Sequence, residues 1–367
     1  MNFDLSEEQR LLKDSVDGVV RDAYGDFEKR CLYQATASGW SAELWGRYAD
    51  LGLLALPFSE ADGGMGMGPV ETMLVMEAMG RGLVVEPYLA TIVLGGGLLR
   101  HGSAAQRQRY IPQIAAGSLR VAFAHTEVQA RYDLGNVGTQ ARKQGTAYLL
   151  DGAKCAVLHG DSAELLIVSA RGATGVSLFL VEGTAAQRRG YATHDGLRAA
   201  DMTFIATPAE LLIDHALPFI ERVVDEGIAA IAAEAVGAME ALVSLTVEYL
   251  KMRKQFGVAL SSFQALQHRS ADMLVALEQA RSMAMYGAMM SQEPDAHVRR
   301  TALSQVKVQI NESARAIGQE AIQLHGGIGM TWEYKGGHYF KRLTLLQSLF
   351  GDTDHHLDLL SAAPEQS

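Results

Sequence analysis

The stretch that decides the fold is EAVGAMEALVSLTVEYLKMRKQFGVALSSFQALQ, residues 234–267. Its Ala, Met, Leu and Gln residues favour helix. The same composition extends from about residue 217 to about residue 324, and Pro294 is the only proline between residues 219 and 324. It predicts a C-terminal bundle of long helices.

Upstream of this bundle, from about residue 119, the sequence changes character. Short apolar or alternating runs such as VAFAH, ELLIVSA and VSLFLVEG are separated by Gly, Asp and Asn, which is typical of strands and turns. We therefore predict an α+β multidomain protein with an N-terminal helical domain (1–118), a middle antiparallel β domain (119–216) and a C-terminal helical bundle (217–367). Helices at both ends of a β region exclude a doubly wound sheet.

The N-terminal region shows two helix signals. Ser6 and Gln9 have the spacing of a capping box, with apolar residues at helical spacing behind them. A second helix is predicted near SAELWGRYADLGL, residues 41–53, before the glycine-rich turn LPFSEADGGMGMG.

Charge and cysteine content exclude some classes of function. The 32 Lys and Arg residues against 42 Asp and Glu residues give a formal charge of −10, which disfavours nucleic-acid binding. The two cysteines lie far apart in the sequence, and no secretory signal is readable, so we expect a cytoplasmic protein. Charged residues or Pro87 interrupt the two most apolar runs, so we expect no membrane span.

Three motifs resemble the acyl-CoA dehydrogenase family over nearly the whole chain. They are LGLLALPFSEADGGMGMG, the R-x-x-F-G followed by F-Q within residues 253–264, and IQLHGGIGMTWEY. The resemblance implies FAD as cofactor, an acyl-CoA thioester as substrate and α,β-dehydrogenation as reaction. It also implies electron-transfer flavoprotein as electron acceptor and an FAD site shared across a subunit interface, which requires at least a dimer.

The physical properties of these residues suit a cofactor. A guanidinium offers a diphosphate both charge and a fork of donors, an amide side chain both donates and accepts, and paired glycines let backbone amides approach a ligand. By resemblance, the ADP half of FAD is held by Arg253, Phe256, Gln264, Gln323, Gly326 and Gly327. Taken alone, Arg253 would more often be a surface ion pair.

The middle domain departs from the family pattern. Where the family has a T-E-P-G-A-G-S-D-like loop, this chain has HTEVQARYDLG, which keeps Thr126 as a candidate cofactor contact. Leu158 replaces a threonine that usually meets the flavin edge, and a leucine donates no hydrogen bond. The neighbouring His159 either compensates or is structural.

The catalytic base is also displaced. The reaction needs a base for the α-proton, and the family usually places a glutamate in a Y-E-G-T loop. Here the loop is residues 350–353, so Gly351 occupies the glutamate position, and Asp352 is the candidate base with Thr353 assigned to the cofactor. The alternative base is Glu226, one residue before the position that a minority of the family uses.

The segment LFGDTDHHL, residues 349–357, has three interpretations. Its two aspartates and two histidines have metal-ligand chemistry, but four ligands within five residues do not wrap one ion, and we assign no metal. The segment is either a solvated helix N-terminus, capped by Asp352 or Thr353 with both histidines exposed, or the site of the base Asp352.

These departures leave two hypotheses. The chain is an FAD enzyme that is active as a homo-oligomer through its own base. Alternatively, it is a cofactor-sharing subunit, similar to the small subunits of heteromeric bacterial acyl-CoA dehydrogenases for pimeloyl-CoA or steroid side-chain thioesters, and needs a second dehydrogenase-like chain. A flavin-dependent oxidase or nitroalkane-type enzyme on the same fold is a third, less favoured interpretation.

Overall fold

Helices occupy both ends of the chain and strands its middle, as the sequence predicts. The computed structural model describes residues 5–145 and 147–362. The α-helices are α1 (Glu7–Tyr24), α2 (Phe27–Gln34), α3 (Ala42–Asp50), α4 (Pro69–Gly82), α5 (Gly97–Leu99), α6 (Ala104–Ala115), α7 (Leu217–Met252), α8 (Gln264–Met290), α9 (Ala296–His325), α10 (Lys335–Ser348) and α11 (Thr353–Ala362). The strands are β1 (Val121–Ala124), β2 (Gln140–Gln144), β3 (Ala147–Leu158), β4 (Leu165–Gly172), β5 (Gly175–Glu182), β6 (Gln187–Ala192), β7 (Arg198–Ile213), β8 (Lys254–Gln255) and β9 (Val258–Ala259).

The contacts group the chain into two compact units, which we call the helical unit and the β unit. The helical unit comprises Met1–Arg30, Pro69–Val84 and Ile228–Ser367, and the β unit comprises Cys31–Gly68 and Val85–Gly227. The three-domain division read from the sequence stays a prediction.

The β unit is built around a sheet that closes on itself. Strands β4, β2, β3, β7 and β5 pair in that order, and β5 pairs back with β4. Most pairs are antiparallel, but β1 and β4 run parallel, so the sheet is mixed rather than purely antiparallel. Apolar residues on its inner side, including Leu166, Phe179 and Phe204, form a buried core.

The helical unit depends on close helix packing and buried charge pairs. A Cβ on Gly80 would collide with the backbone of α7 at Glu234, and one on Gly237 with the backbone of α4 at Glu77, so the two glycines let these helices touch. The Glu234 carboxylate then accepts two hydrogen bonds from Arg342, at 2.6 and 2.8 Å. Such bidentate pairing satisfies a buried charge.

The predicted capping box at the start of α1 is present. The Gln9 backbone N–H donates to Ser6 Oγ at 3.1 Å, and the Ser6 N–H donates to Gln9 Oε1 at 3.0 Å. Helix α2 has no counterpart among the sequence predictions.

Helix α7 is the one described helix that is long and apolar enough to cross a bilayer. Of its most apolar window, 78% is buried within the structure. The core helix of a globular protein has the same properties.

Candidate active site

The end of α7 turns into a two-residue hairpin that presents the R-x-x-F-G motif. Strands β8 and β9 pair across Phe256 and Gly257, whose φ angles are +54° and +81°. Two consecutive positive φ angles are typical of a type I′ turn, whose conformation glycine adopts without strain and phenylalanine rarely adopts. Phe256 is nevertheless 92% exposed. A strained, exposed aromatic residue at a turn is a feature of binding sites.

Arg253 has a fixed backbone and an uncommitted side chain. Its N–H donates to Tyr249 O at 2.8 Å, and its carbonyl accepts from Leu260 N–H at 2.8 Å. The side chain is exposed and makes no hydrogen bond or ion pair with any residue in 5–145 or 147–362. The surface-ion-pair interpretation of this arginine therefore has no partner in the described chain, and its fork of donors remains open to an anionic ligand.

Gln264 and Gln323 are similarly exposed. Gln264 is the first residue of α8, and Gln323 lies in the last turn of α9, where its carbonyl accepts from the Gly326 N–H. Neither amide side chain has a hydrogen-bond partner among the described residues, so both keep their full donor and acceptor capacity.

Gly326 and Gly327 form a bare surface after α9. Gly326 has φ +62°, which favours glycine for backbone reasons. Gly327 has no positive φ, and a Cβ built on it would meet nothing within 4 Å. Nothing in the described chain requires glycine at position 327, as expected where a ligand or another chain approaches the backbone.

An aromatic cluster that sequence reasoning missed links α7 to this surface. The His325 ring lies 4.7 Å from the Tyr249 ring and 4.9 Å from the Tyr334 ring, measured between centroids. Its Nδ1 donates to Ala321 O at 2.8 Å, and burial lowers its pKa, so the imidazole is neutral at pH 7. The sequence signal that could have indicated this cluster was the histidine immediately before Gly326.

The loop from Leu349 to Asp352 has a strained backbone. Phe350 and Gly351 have φ +60° and +116°. A Cβ on Gly351 would collide with His356 Nε2 and lie 2.6 Å from His355 Cδ2. The position at which the family carries its glutamate therefore has no room for a side chain.

Asp352 caps α11. Its Oδ1 accepts from the His355 backbone N–H at 2.9 Å, and the carboxylate is exposed. Capping by Asp352 agrees with the helix N-terminus interpretation of this segment, but the predicted exposure of His356 is wrong, since that side chain is 2% exposed.

Residues of helix α9 that the sequence analysis did not single out contact this loop and the start of α11. His356 bonds to Ser304 Oγ at 3.1 Å, and its Nε2 donates to Phe350 O at 3.0 Å. Asn311 Nδ2 lies 3.4 Å from Thr353 Oγ1. Burial and the charge of Lys307 lower the pKa of His356 to about 4, so this imidazole is neutral.

Glu226, the alternative base, is paired with two arginines in the β unit. Its Oε2 lies 2.6 Å from Arg100 Nη2, and its Oε1 lies 3.5 Å from Arg222 Nε. Both oxygens of the Glu226 carboxylate therefore already have a charged partner.

Thr126 is exposed beside a buried polar network in the β unit. The Glu127 carboxylate accepts from Lys154 Nζ at 2.6 Å and from Thr139 Oγ1 at 2.7 Å. Lys154 also donates to His125 O at 3.1 Å, so both neighbours of Thr126 are tethered. Although burial acts to raise it, these hydrogen bonds bring the pKa of Glu127 down to about 2.

Leu158 and His159 lie at the end of β3, beyond a bulge. The register of β3 with β7 shifts between Lys154 and Val157, and Leu158 pairs with Ala199. His159 is 7% exposed, and its N–H donates to Arg198 O at 2.9 Å. This burial favours the structural interpretation of the histidine.

The candidate residues thus fall into two groups, one in each unit. Arg253, Phe256, Gln264, Gln323, Gly326, Gly327, Asp352 and Thr353 belong to the helical unit. Thr126, Leu158, His159 and Glu226 belong to the β unit. Within the first group, the guanidinium of Arg253 and the amides of Gln264 and Gln323 have no side-chain partner among the described residues, and these are chemical groups that can bind a dinucleotide.

Comparison with known proteins agrees with this chemistry. The N-terminal, middle and C-terminal domains of acyl-CoA dehydrogenase match residues 6–118, 122–206 and 218–363. The chain is 30% identical to the mitochondrial long-chain specific acyl-CoA dehydrogenase of Sus scrofa, over 80% of this chain and 72% of the relative. It is 29% identical to the probable acyl-CoA dehydrogenase YngJ of Bacillus subtilis (strain 168), over 91% of this chain and 92% of the relative. Among solved structures it resembles a variant of the Tcur3481–Tcur3483 steroid ACAD, with a TM-score of 0.89 and 28% identity over 97% of both chains.

Proposed function

Because the chain belongs to the acyl-CoA dehydrogenase family and is an FAD-dependent oxidoreductase of acyl-CoA thioesters, we propose that its helical unit holds the ADP half of FAD and that Asp352 serves as the base. The uncompensated guanidinium of Arg253 carries the first part of this proposal. Gln264, Gln323 and the surface of Gly326 and Gly327 complete the cofactor contacts, and Phe256 covers them. Thr126, Leu158 and Thr353 are proposed as contacts nearer the flavin, whereas the buried His159 is given a structural role beside them.

FAD, when bound, accepts the β-hydride of the acyl group. The chain must remove the α-proton and orient the thioester. Asp352 suits proton removal better than Glu226, because Asp352 is exposed and bonded to one backbone N–H, whereas Glu226 faces two arginines.

A second candidate function rests on Gly351. Position 351 cannot carry a side chain beside His356, so a second, unlike dehydrogenase chain would supply the base while this chain supplies FAD contacts and part of an interface. The resemblance to the Tcur3481–Tcur3483 steroid ACAD supports such a pairing. Both candidates use electron-transfer flavoprotein as acceptor. Both also fit a cytoplasmic protein with free Cys31 and Cys155.

The visible absorption spectrum separates the two candidates. The chain is purified alone and after co-expression with any dehydrogenase-like neighbour in its genome, and acyl-CoA thioesters of several lengths are added to each. Flavin bands that bleach in the lone chain support a self-sufficient enzyme, whereas a colourless lone chain that becomes yellow and active only with its neighbour supports the shared site.

Replacement of Asp352 by Asn then tests the base. We expect the rate of flavin reduction to fall at least 100-fold in Asp352→Asn, because an amide does not accept the proton. Asp354→Asn, which neutralises an exposed carboxylate in the first turn of α11, is the matched control and should keep the wild-type rate. Equal rates in the two variants would remove Asp352 from the reaction.

A further inference from the structure

Lys307 of α9 is a buried amine to which no carboxylate of the described residues is bonded. It is 1% exposed. Its Nζ donates to Leu346 O and to Asn311 Oδ1 at 2.8 Å, and to Gln347 O at 3.2 Å. Two of these oxygens are the carbonyls at the C-terminal end of α10, where a helix has no backbone donors left and carries partial negative charge.

The three acceptors match the three hydrogens of an ammonium group. A protonated lysine donates to all three oxygens, whereas a neutral amine has two hydrogens and turns its lone pair toward the third. The contacts around Lys307 are therefore complete only in the charged state.

These contacts fix the start of a strained loop. Asn311 Nδ2 lies 3.3 Å from Gln347 O and 3.4 Å from Thr353 Oγ1, so it spans the loop from α10 to α11. His356 Nε2 donates to Phe350 O, the carbonyl of a residue with φ +60°. A phenylalanine keeps such a conformation only where its surroundings enforce it.

We infer that Lys307 is a positioning residue for catalysis, which through the α10 carbonyls fixes the loop that carries Asp352. This inference rests on the proposed role of Asp352. It adds an ionisable group to the site, on a different helix from Asp352.

The pH dependence follows from the charged groups around the amine. Burial lowers the pKa of Lys307 to about 7, and the negative charge of Asp352 opposes that shift. The acceptors on α9 and α10 are uncharged, and from α11 the neutral imidazole of His356 interacts with the amine. We expect flavin reduction to decline as pH rises above about 7, because the deprotonated amine loses one of its three contacts.

The contribution of Lys307 to the free energy of unfolding should rise with pH, whereas flavin reduction should fall. The folded-state pKa of Lys307 lies below its unfolded value of 10.5. Between these values the unfolded chain binds more protons, so this group makes the free energy of unfolding rise with pH. A purely structural role therefore predicts no loss of flavin reduction in this pH range, whereas a positioning role does.

Hydrogen exchange of the full chain, followed with FAD and without it, tests the inference directly. In Lys307→Met we expect the backbone amides of residues 349–357 to exchange at least tenfold faster and FAD retention to be unchanged. The rate of flavin reduction should be lower than in the wild type at every pH, and it should no longer decline above pH 7. The matched control is Lys335→Met, which removes a half-buried lysine at the opposite end of α10. The control should keep the wild-type exchange of residues 349–357 and the wild-type pH profile.

If Lys307→Met does not fold, Asn311→Ala removes the contacts to Gln347 and Thr353 and should give the same faster exchange. Wild-type exchange of residues 349–357 in a folded Lys307 or Asn311 variant would overturn the inference. A wild-type chain whose flavin no acyl-CoA reduces would instead contradict the proposed function, while the exchange of this loop still decides whether Lys307 fixes it.

Discussion

Restoring the family's glutamate, by Gly351→Glu, should destabilise the protein rather than repair the site. Gly351 has φ +116°, a region that side chains rarely adopt. A Cβ there would collide with His356 Nε2 and lie 2.6 Å from His355 Cδ2. It would also displace the hydrogen bond from His356 to Phe350 O.

Two costs combine in this substitution. The backbone conformation costs about 1–2 kcal/mol for an L-residue, and overpacking a buried site costs about 1–3 kcal/mol. We therefore expect Gly351→Glu to lower the free energy of unfolding by about 2–5 kcal/mol.

Urea unfolding, followed by circular dichroism and by flavin release, measures this loss. Gly327→Ala is the matched control, because its Cβ meets no atom within 4 Å and its φ is ordinary. The control should change stability by less than about 0.5 kcal/mol but weaken FAD binding. A Gly351→Glu protein of wild-type stability with faster flavin reduction would refute the packing argument and show that the loop adapts to a glutamate.

Three further predictions concern charged residues. Arg253→Ala should lower FAD affinity at least tenfold, measured by fluorescence of released flavin, whereas Lys254→Ala should not; full flavin occupancy in the arginine variant would contradict the cofactor assignment. Glu226→Gln should cost about 1–2 kcal/mol of stability in thermal unfolding, because Arg100 loses its charged partner, but flavin reduction should persist; its abolition would identify Glu226 as the base. The pKa of Glu127 is depressed to about 2 in the folded protein, so its contribution is present above its unfolded value of 4.5 and is lost as pH falls toward 2. Glu127→Gln should flatten the pH dependence of the unfolding midpoint in that window, and an unchanged slope would assign acid sensitivity to other groups.

The order of helices and strands was readable because long helices and apolar strands carry strong periodic signals. Strands β2 and β6, QARKQ and QRRGYA, were missed because both are largely exposed and polar. Their strand conformation comes from pairing with β3 and β7, a tertiary effect that local sequence does not encode. Helix α2 was missed because its single buried side chain, Arg30, is charged and bonds to Leu83 O.

Candidate site residues could be predicted from the sequence where a motif combined residues of unusual backbone conformation with side chains suited to ligand binding. Phe256 and Gly257 illustrate this, since the turn they form needs two positive φ angles. The supporting residues were not readable: Lys307 and Asn311 resemble any polar residues on a helix until the end of α10 is placed beside them. Their partners are backbone carbonyls about 40 residues away in sequence.

The histidines of LFGDTDHHL show which supporting contacts could have been inferred from the sequence. Once Asp352 is recognised as the N-cap, His356 becomes the fourth residue of α11, and that position packs against the residue before the cap, as in a hydrophobic staple. The residue before the cap is Gly351. A staple usually pairs two side chains, but here the His356 ring fills the space that a Cβ at position 351 would need. The missing glutamate and the buried histidine are therefore one structural feature. Their coupling is measurable in a double-mutant cycle. Gly351→Glu should lower the free energy of unfolding less in a His356→Ala background than in the wild type, because the collision with the His356 ring is removed while the cost of the backbone conformation remains.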